Sequence, residues 1–217
     1  MIFLVIIKYK NKSHKIMSDY INKYLLEVEK IAKQIDKNEI EKIIQRIVRL
    51  KKEKGRIFFL GVGGSAGNCS HAVNDFRKIA QIESYTPVDN VSELTARIND
   101  EGWDTVFSSW LERSFLNNKD LIFIFSVGGG SLKENVSTNI VKAIDYCHQI
   151  NCDVVGIVSR DGGYTAKKAL ACVKIPVISS DTITPHAEAW QAVVWHLIVT
   201  DPRIISYSNK WESIEKK

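Results

Sequence analysis

Residues 56–76 read RIFFLGVGGSAGNCSHAVNDF, and this stretch decides the fold. The apolar run at 56–60 is typical of a buried strand, and the glycines that follow indicate a tight loop. A helix is predicted from about residue 65 to residue 80. A strand, a glycine loop and a helix in this order form one half of a βαβ unit, which indicates a parallel sheet.

The same unit recurs along the chain. LIFIFS at 121–126 is a second apolar strand that runs into a Gly/Ser loop, and VVGIVS at 154–159 is a third. Two further segments are predicted to be extended, 86–91 and 171–177. Helices are predicted at about 18–35, 38–54, 101–117, 132–149, 164–170 and 185–200. Strands that alternate with helices, three of them continuously apolar, predict an α/β three-layer αβα sandwich with an N-terminal helical extension.

The composition fits one globular domain, with 217 residues of which 45% are hydrophobic and 25% charged. We interpret residues 1–16 as a possible non-native or disordered extension and residues 17–217 as a single domain. No apolar run is long enough to span a membrane. The four cysteines form no CxxC pair, so we expect reduced thiols in a cytoplasmic protein.

The charge does not predict a nucleic-acid partner. The formal net charge is +5, and the excess of lysine and arginine lies in residues 1–56, where acidic residues interrupt it. Such a pattern is more typical of a solvated helix face than of a nucleic-acid site.

Two glycine loops carry the chemical argument. GVGGSA at 61–66 alone would permit a dinucleotide site, which also needs an acidic residue at the end of the next buried strand. The next extended stretch, SYTPVDN, does not end a buried strand in this way. SVGGGS at 126–131 also follows a strand and precedes a helix. Two such loops at the carboxyl ends of parallel strands can direct backbone amides and hydroxyls at one phosphate. Neither loop has the lysine of a P-loop.

These loops, with ELTARINDEGWDTVF at 93–107, resemble the sugar isomerase (SIS) domain family and its phosphoheptose isomerase branch. The resemblance covers about residues 20–200. It implies a five-stranded parallel sheet, a homotetramer, and isomerisation of a phosphorylated sugar. The implied reaction converts sedoheptulose 7-phosphate to D-glycero-D-manno-heptose 7-phosphate, a heptose precursor of surface polysaccharide.

The resemblance also implies a set of substrate-binding residues in the two loops and in the segment between them. The second loop departs from the family pattern S-T-S-G-N-S, because Val127, Gly128 and Gly130 replace Thr, Ser and Asn. Two hydroxyls are thereby lost. The substrate-binding residues carried over are Gly63, Gly64, Ser65, Asn99, Asp100, Ser126, Gly128, Gly129, Gly130 and Ser131.

Four ionisable residues on two helices are the candidates for catalysis and metal binding. His71 and Asp75 share a helix face, and Glu188 and His196 lie eight residues apart on the last helix. By residue type alone, a surface His–Asp pair and a core histidine are the simpler interpretations. The resemblance instead implies a metal ligand at His71 and catalytic positions at Asp75 and His196, with Glu188 in place of a glutamine.

We therefore expect Asp75, Glu188 and His196 to be catalytic. We expect His71, Asp75, Glu188 and His196 to bind a divalent metal, with Zn²⁺ the best match for two imidazoles and two carboxylates. Eight residues of regular helix rise about 12 Å, which is a long span for one ion to bridge. The alternative is a non-catalytic sugar-phosphate-binding regulator or interaction protein. A pure sensor of this kind would need the loop serines but not this acid–base set.

Overall fold

The structure, a computed structural model, describes residues 19–214. The expected boundary at residue 16 lies outside the described residues. A single five-stranded sheet forms the centre, with all strands parallel and in the order β2-β1-β3-β4-β5. The strands are β1 (Ile57–Gly61), β2 (Ser84–Tyr85), β3 (Leu121–Phe125), β4 (Asp153–Val158) and β5 (Ala171–Lys174).

Alternate residues of each strand face opposite sides of the sheet and build two separate cores. Ile57 and Phe59 of β1 belong to one hydrophobic cluster, whereas Phe58 and Leu60 belong to the other. Phe59 stacks on Phe123 of the neighbouring strand, with ring centroids 5.4 Å apart. The strands are apolar throughout because both faces of the sheet are covered.

Helices cover both faces of the sheet, so the predicted three-layer αβα sandwich is confirmed. The first helix, α1, covers residues 19–34 of the described chain. Helices α1, α2, α3 and α8 pack on one face, and α5 and α6 pack on the other with α4 and α7 beside them. The remaining helices are α2 (Lys37–Glu53), α3 (Gly64–Lys78), α4 (Val91–Glu101), α5 (Val106–Arg113), α6 (Thr138–Gln149), α7 (Gly163–Lys168), α8 (Ile183–Val199) and α9 (Lys210–Ile214).

Three predicted elements were wrong. The extended segment 86–91 is largely a 3₁₀ turn, Pro87–Asp89, and the neighbouring strand is the short β2. The helix predicted at 101–117 is the shorter α5, and α4, which Gly102 ends with a φ of +87°, was not predicted. The helix predicted from 132 begins only at Thr138, since Ser131 and Val136 pair as an antiparallel bridge and Ser137 has a φ of +50°.

Within residues 19–214, no helix combines the length and apolar character needed to cross a membrane. The N-terminal helix nevertheless has an uncovered apolar face, with Tyr20, Ile21 and Leu25 exposed. The opposite face of α1 is attached to the start of α8, as described below.

Candidate active site

Helices α3 and α8 pack against each other and bring three of the four candidate residues together. His71 and Asp75 come from successive turns of α3, and His196 comes from α8. The Oδ2 atom of Asp75 lies 3.8 Å from His71 Nε2 and 3.6 Å from His196 Nε2. The two imidazole rings are 5.3 Å apart between centroids. Sequence spacing alone pairs only His71 with Asp75, and the packing of the helices adds His196.

Local hydrogen bonds fix the two catalytic candidates. Asp75 is buried, and its Oδ1 accepts a hydrogen bond of 2.8 Å from the Asn74 amide, which leaves Oδ2 facing the histidines. His196 Nδ1 lies 2.7 Å from the carbonyl oxygen of Ala192. A neutral imidazole that donates from Nδ1 has its lone pair on Nε2. We therefore assign His196 as a base or ligand through Nε2.

The cluster of His71, Asp75 and His196 fits a divalent metal. Each residue offers one ligand atom, and these atoms all lie within 4.8 Å of one another. A tetrahedral zinc with bonds of about 2.0–2.1 Å separates its ligand atoms by about 3.3 Å, so small rotations suffice. The carbonyl of Ala192 supplies the second-shell partner that ligating histidines usually have. Three ligands would leave a fourth position open.

The structure does not bring Glu188 into this cluster. Among residues 19–214, the group with ligand atoms at bonding separations has three members, and Glu188 is not one of them. The physical reason is the regular α8 helix, which separates residues 188 and 196 by about 12 Å along its axis. The structure thus groups three of the four predicted ligands, and the role of Glu188 as a fourth ligand stays a prediction.

Glu188 instead lies over the first glycine loop. A Cβ built on Gly64 would come within 2.5 Å of the Glu188 carboxyl carbon, so only glycine admits the carboxylate here. Gly64 is the first residue of α3, and the amino end of a helix favours an anion. The backbone of Gly63 and Gly64 is exposed beside this carboxylate.

A buried polar network joins the first loop to α8. The Gln191 amide donates to Ser65 Oγ over 3.0 Å, and the Asn68 amide donates to both Gln191 Oε1 and the Glu188 carbonyl over 2.9 Å. Gln191 and Ser65 are buried. The hydroxyl of Ser65, which was predicted to bind substrate, is thus hydrogen-bonded to a residue of α8. The sequence analysis did not identify Asn68 or Gln191, although Gln191 is a polar residue in an otherwise apolar helix.

The second loop is held by backbone contacts from α7. The amides of Tyr164 and Thr165 donate to the carbonyls of Gly130 and Gly129 over 2.8 Å and 2.9 Å. The Thr165 hydroxyl also donates to Gly129, and Ser126 Oγ accepts from the Gly129 amide over 3.0 Å. The carbonyl groups of Gly129 and Gly130 are therefore occupied by hydrogen bonds from α7.

The amides of the second loop are more available. Those of Val127, Gly128 and Gly130 have no hydrogen-bond partner within residues 19–214. Ser131 forms the bridge to Val136, and its hydroxyl accepts from the Glu134 amide over 3.2 Å. Free amides in a glycine turn can provide a site for an anion.

Asn99 and Asp100 lie at the end of α4 and are exposed. The Asn99 amide donates to the Asp100 carboxylate over 2.7 Å. The following loop is connected to α6, because the Thr138 hydroxyl donates to Asp104 over 2.5 Å. The predicted substrate roles of Asn99 and Asp100 stay predictions.

A second buried cluster, which the sequence did not reveal, attaches α1 to α8. Glu27 Oε2 accepts a hydrogen bond of 2.6 Å from the Thr182 hydroxyl and lies 2.9 Å from His186 Nε2. Tyr24 stacks on His186 with ring centroids 4.4 Å apart. The hydrogen bond from Thr182, followed by that from His186, lowers the pKa of Glu27. Its carboxylate is therefore ionised at neutral pH and fixes α1 on the helix that carries Glu188 and His196.

The four cysteines are free and buried. Burial raises the pKa of the Cys69 thiol well above its usual range. A protonated thiol is neither a nucleophile nor a metal ligand, so Cys69 acts as a small core residue between the first loop and His71.

The fold and this cluster define an SIS-type α/β domain, and the chain belongs to the SIS domain family. The family model matches residues 19–159. The chain is 31% identical to a "Probable phosphoheptose isomerase" of Thermoplasma volcanium over 88% of this chain and 93% of that protein. It is 25% identical to a phosphoheptose isomerase of Aneurinibacillus thermoaerophilus over 92% and 100% of the two chains.

A solved structure agrees with the fold. The phosphoheptose isomerase GmhA from Neisseria gonorrhoeae superposes with a TM-score of 0.72 at 19% identity, covering 85% of this chain and 96% of that one. At this identity, the match supports the architecture alone.

Proposed function

We propose that the protein is an aldose–ketose isomerase that converts sedoheptulose 7-phosphate to D-glycero-D-manno-heptose 7-phosphate. The observation that carries the proposal is the cluster in which Asp75 Oδ2 lies between His71 and His196 Nε2. The names of the relatives support the choice of sugar.

The chemistry requires one group that removes a proton and one that supplies a proton. A carboxylate takes the proton from the hydroxyl-bearing carbon next to the carbonyl while an imidazolium protonates the carbonyl oxygen, which gives an enediol. The carboxylate then returns its proton to the former carbonyl carbon, and the imidazole takes the proton of the other hydroxyl, which becomes the new carbonyl. In this chain His196 Nε2 is available for proton transfer because Nδ1 is held by Ala192. The carboxylate partner is Asp75 or Glu188, and both lie on the α3–α8 side of the first loop.

We propose Zn²⁺ or a similar divalent ion as the cofactor, held by His71, Asp75 and His196. A bound ion would polarise the substrate carbonyl and stabilise negative charge on its oxygen. With an ion bound, Asp75 and the Nε2 atom of His196 would both act as ligands, and Glu188, which lies outside the cluster beside Gly64, would be the remaining carboxylate.

We place the substrate phosphate on the second loop rather than on the first. The Glu188 carboxylate already lies at the amino end of α3, where a second anion would be repelled. The amides of Val127, Gly128 and Gly130 have no hydrogen-bond partner within the described residues, so they can compensate for the lost hydroxyls.

We further propose a homotetramer in the cytoplasm. The exposed apolar residues of α1, together with Val193 and Leu197 of α8, form surface that a second subunit would cover. A non-catalytic regulator remains the second candidate from the sequence, but it would not need the Asp75–His196 arrangement.

The test is conversion of sedoheptulose 7-phosphate by the purified protein, followed by ¹H NMR with added Zn²⁺ and with a chelator. We expect product with the metal and a loss of rate with the chelator. An absence of product in the presence of metal, from protein that still binds the sugar phosphate, would favour the regulator instead.

A further inference from the structure

A groove beside the second loop combines glycine backbone with cations that the family pattern does not assign. It has a volume of about 620 Å³, which suits a small phosphorylated ligand. Gly128, Gly130 and Ser131 form one wall, and Tyr164 of α7 forms another. The charged residues along it are Lys133, Glu134, Arg160, Asp161 and Lys167.

Arg160 has an unusual backbone conformation for its residue type. It follows β4 in a turn in which the Gly162 amide donates to the Ser159 carbonyl over 3.0 Å. Its φ is +53°, whereas Asp161 is not among the residues with positive φ. Turns with positive φ at the first central position strongly favour glycine there. A long cationic residue in this position is strained, and such strain is concentrated at functional sites.

The charges of the groove leave Arg160 available for a ligand. Lys133 Nζ forms an ion pair with Glu134 Oε1, 3.7 Å away. Asp161 Oδ1 accepts a hydrogen bond of 3.2 Å from the Gly163 amide. Within residues 19–214, neither Arg160 nor Lys167 forms an ion pair. The groove thus carries three cations and two carboxylates, a net charge of +1, beside the free amides of the loop.

We propose that Arg160, assisted by Lys167, binds the phosphate of the substrate and replaces the hydroxyls lost at positions 127 and 128. A guanidinium can bind two phosphate oxygens at once, which a serine hydroxyl cannot. Arg160 is a substrate-binding residue in this account. The inference rests on the proposed function only for the identity of the sugar, since any phosphomonoester would use the same group.

Replacing Arg160 with glycine separates binding from folding. Arg160→Gly removes the side chain and relieves the positive φ, so we expect a melting temperature equal to or above that of the wild type. We expect its dissociation constant for inorganic phosphate, from isothermal titration calorimetry, to rise at least tenfold. Lys168→Ala is the matched control, because Lys168 lies over the Tyr164 ring and does not line the groove.

Phosphate binding by Arg160→Gly equal to that of the wild type would overturn the inference, as would a wild type that does not bind phosphate. Phosphate binding that depends on Arg160, in a protein that does not convert the sugar, would preserve this inference and refute the proposed isomerase.

Discussion

The two glycine loops of this protein follow equivalent strands but are stabilised in different ways. The first loop is held by side chains of α8, with Glu188 over Gly64 and Gln191 on the Ser65 hydroxyl. The second loop is held by backbone, because the amides of α7 donate to Gly129 and Gly130. The first loop therefore lies beside a carboxylate of the protein itself, and the second retains amides for an external anion. The comparison shows that similar sequence motifs can have opposite electrostatic roles.

The largest effect is expected from Gly129→Ala in the second loop. Gly129 has a φ of +72°, and an added Cβ would lie 2.0 Å from the Gly162 carbonyl oxygen, which is backbone. We expect a loss of about 3 kcal/mol or more in the free energy of unfolding, measured with urea. Gly128→Ala is the control, since a Cβ there meets nothing within 4 Å. Equal stability of the two variants would show that α7 does not hold the loop.

A smaller loss is expected when the side-chain network of the first loop is broken. Gln191→Ala removes the donor to Ser65 and the acceptor of the Asn68 amide, both in a buried setting. The expected loss is about 2 kcal/mol in the free energy of unfolding. Gln149→Ala, at an exposed position of α6, should change it by less than about 0.5 kcal/mol. If Gln191→Ala left the free energy of unfolding unchanged, this would contradict the account of the first loop.

Gly64→Ala tests the difference between the loops directly. The obstacle to a Cβ at Gly64 is the Glu188 carboxylate, a side chain that can rotate away. We expect a loss of less than about 1 kcal/mol in stability but a fall in isomerase rate of about tenfold or more, because Glu188 is displaced. Gly67→Ala, with open space around it inside α3, should gain about 0.5–1 kcal/mol. An unchanged rate in Gly64→Ala would remove Glu188 from the catalytic set.

The smallest effect concerns pH and is confined to α1. Hydrogen bonding lowers the pKa of Glu27 from 4.5 in the folded protein. Its contribution to stability is therefore complete above pH about 4.5 and is lost as the pH falls through the lower, folded-state pKa. We expect amide-exchange protection of α1 to fall in acid for the wild type and to be weak and nearly independent of pH in Glu27→Gln. Replacement of the exposed Glu53 by Gln should leave the pH profile unchanged.

Some of this architecture could be predicted from sequence and some could not. The apolar strands at Ile57–Gly61 and Leu121–Phe125 were predicted within one residue, because a sheet covered on both faces requires continuous apolar runs. The His71–Asp75 pair follows from helical spacing. The helix boundaries at Gly102 and Ser137 were missed. Each is set by a single residue with positive φ, which ends α4 or delays the start of α6, although the surrounding composition is compatible with helix.

The resemblance named the residues of the candidate site, but it could not predict their arrangement. His196 was named by resemblance, and only the packing of α8 on α3 shows that it meets Asp75 while Glu188 does not. Arg160 gives no signal in sequence, since Arg-Asp-Gly-Gly suggests that the glycines alone take positive φ. Asn68 and Gln191 are hydrogen-bonded across 123 residues of chain, a separation that no local pattern records.

The measurement that tests the central claim most directly is solvent hydrogen exchange into the sugar. Sedoheptulose 7-phosphate is incubated in D₂O with Zn²⁺ and either the wild type or Asp75→Asn, which preserves size but removes the charge, and deuterium at C1 and C2 is followed by NMR. The account predicts deuterium incorporation by the wild type and a rate lower by a factor of about 10² to 10⁴ for Asp75→Asn. Equal incorporation by the two proteins, or none by metal-loaded wild type, would contradict it.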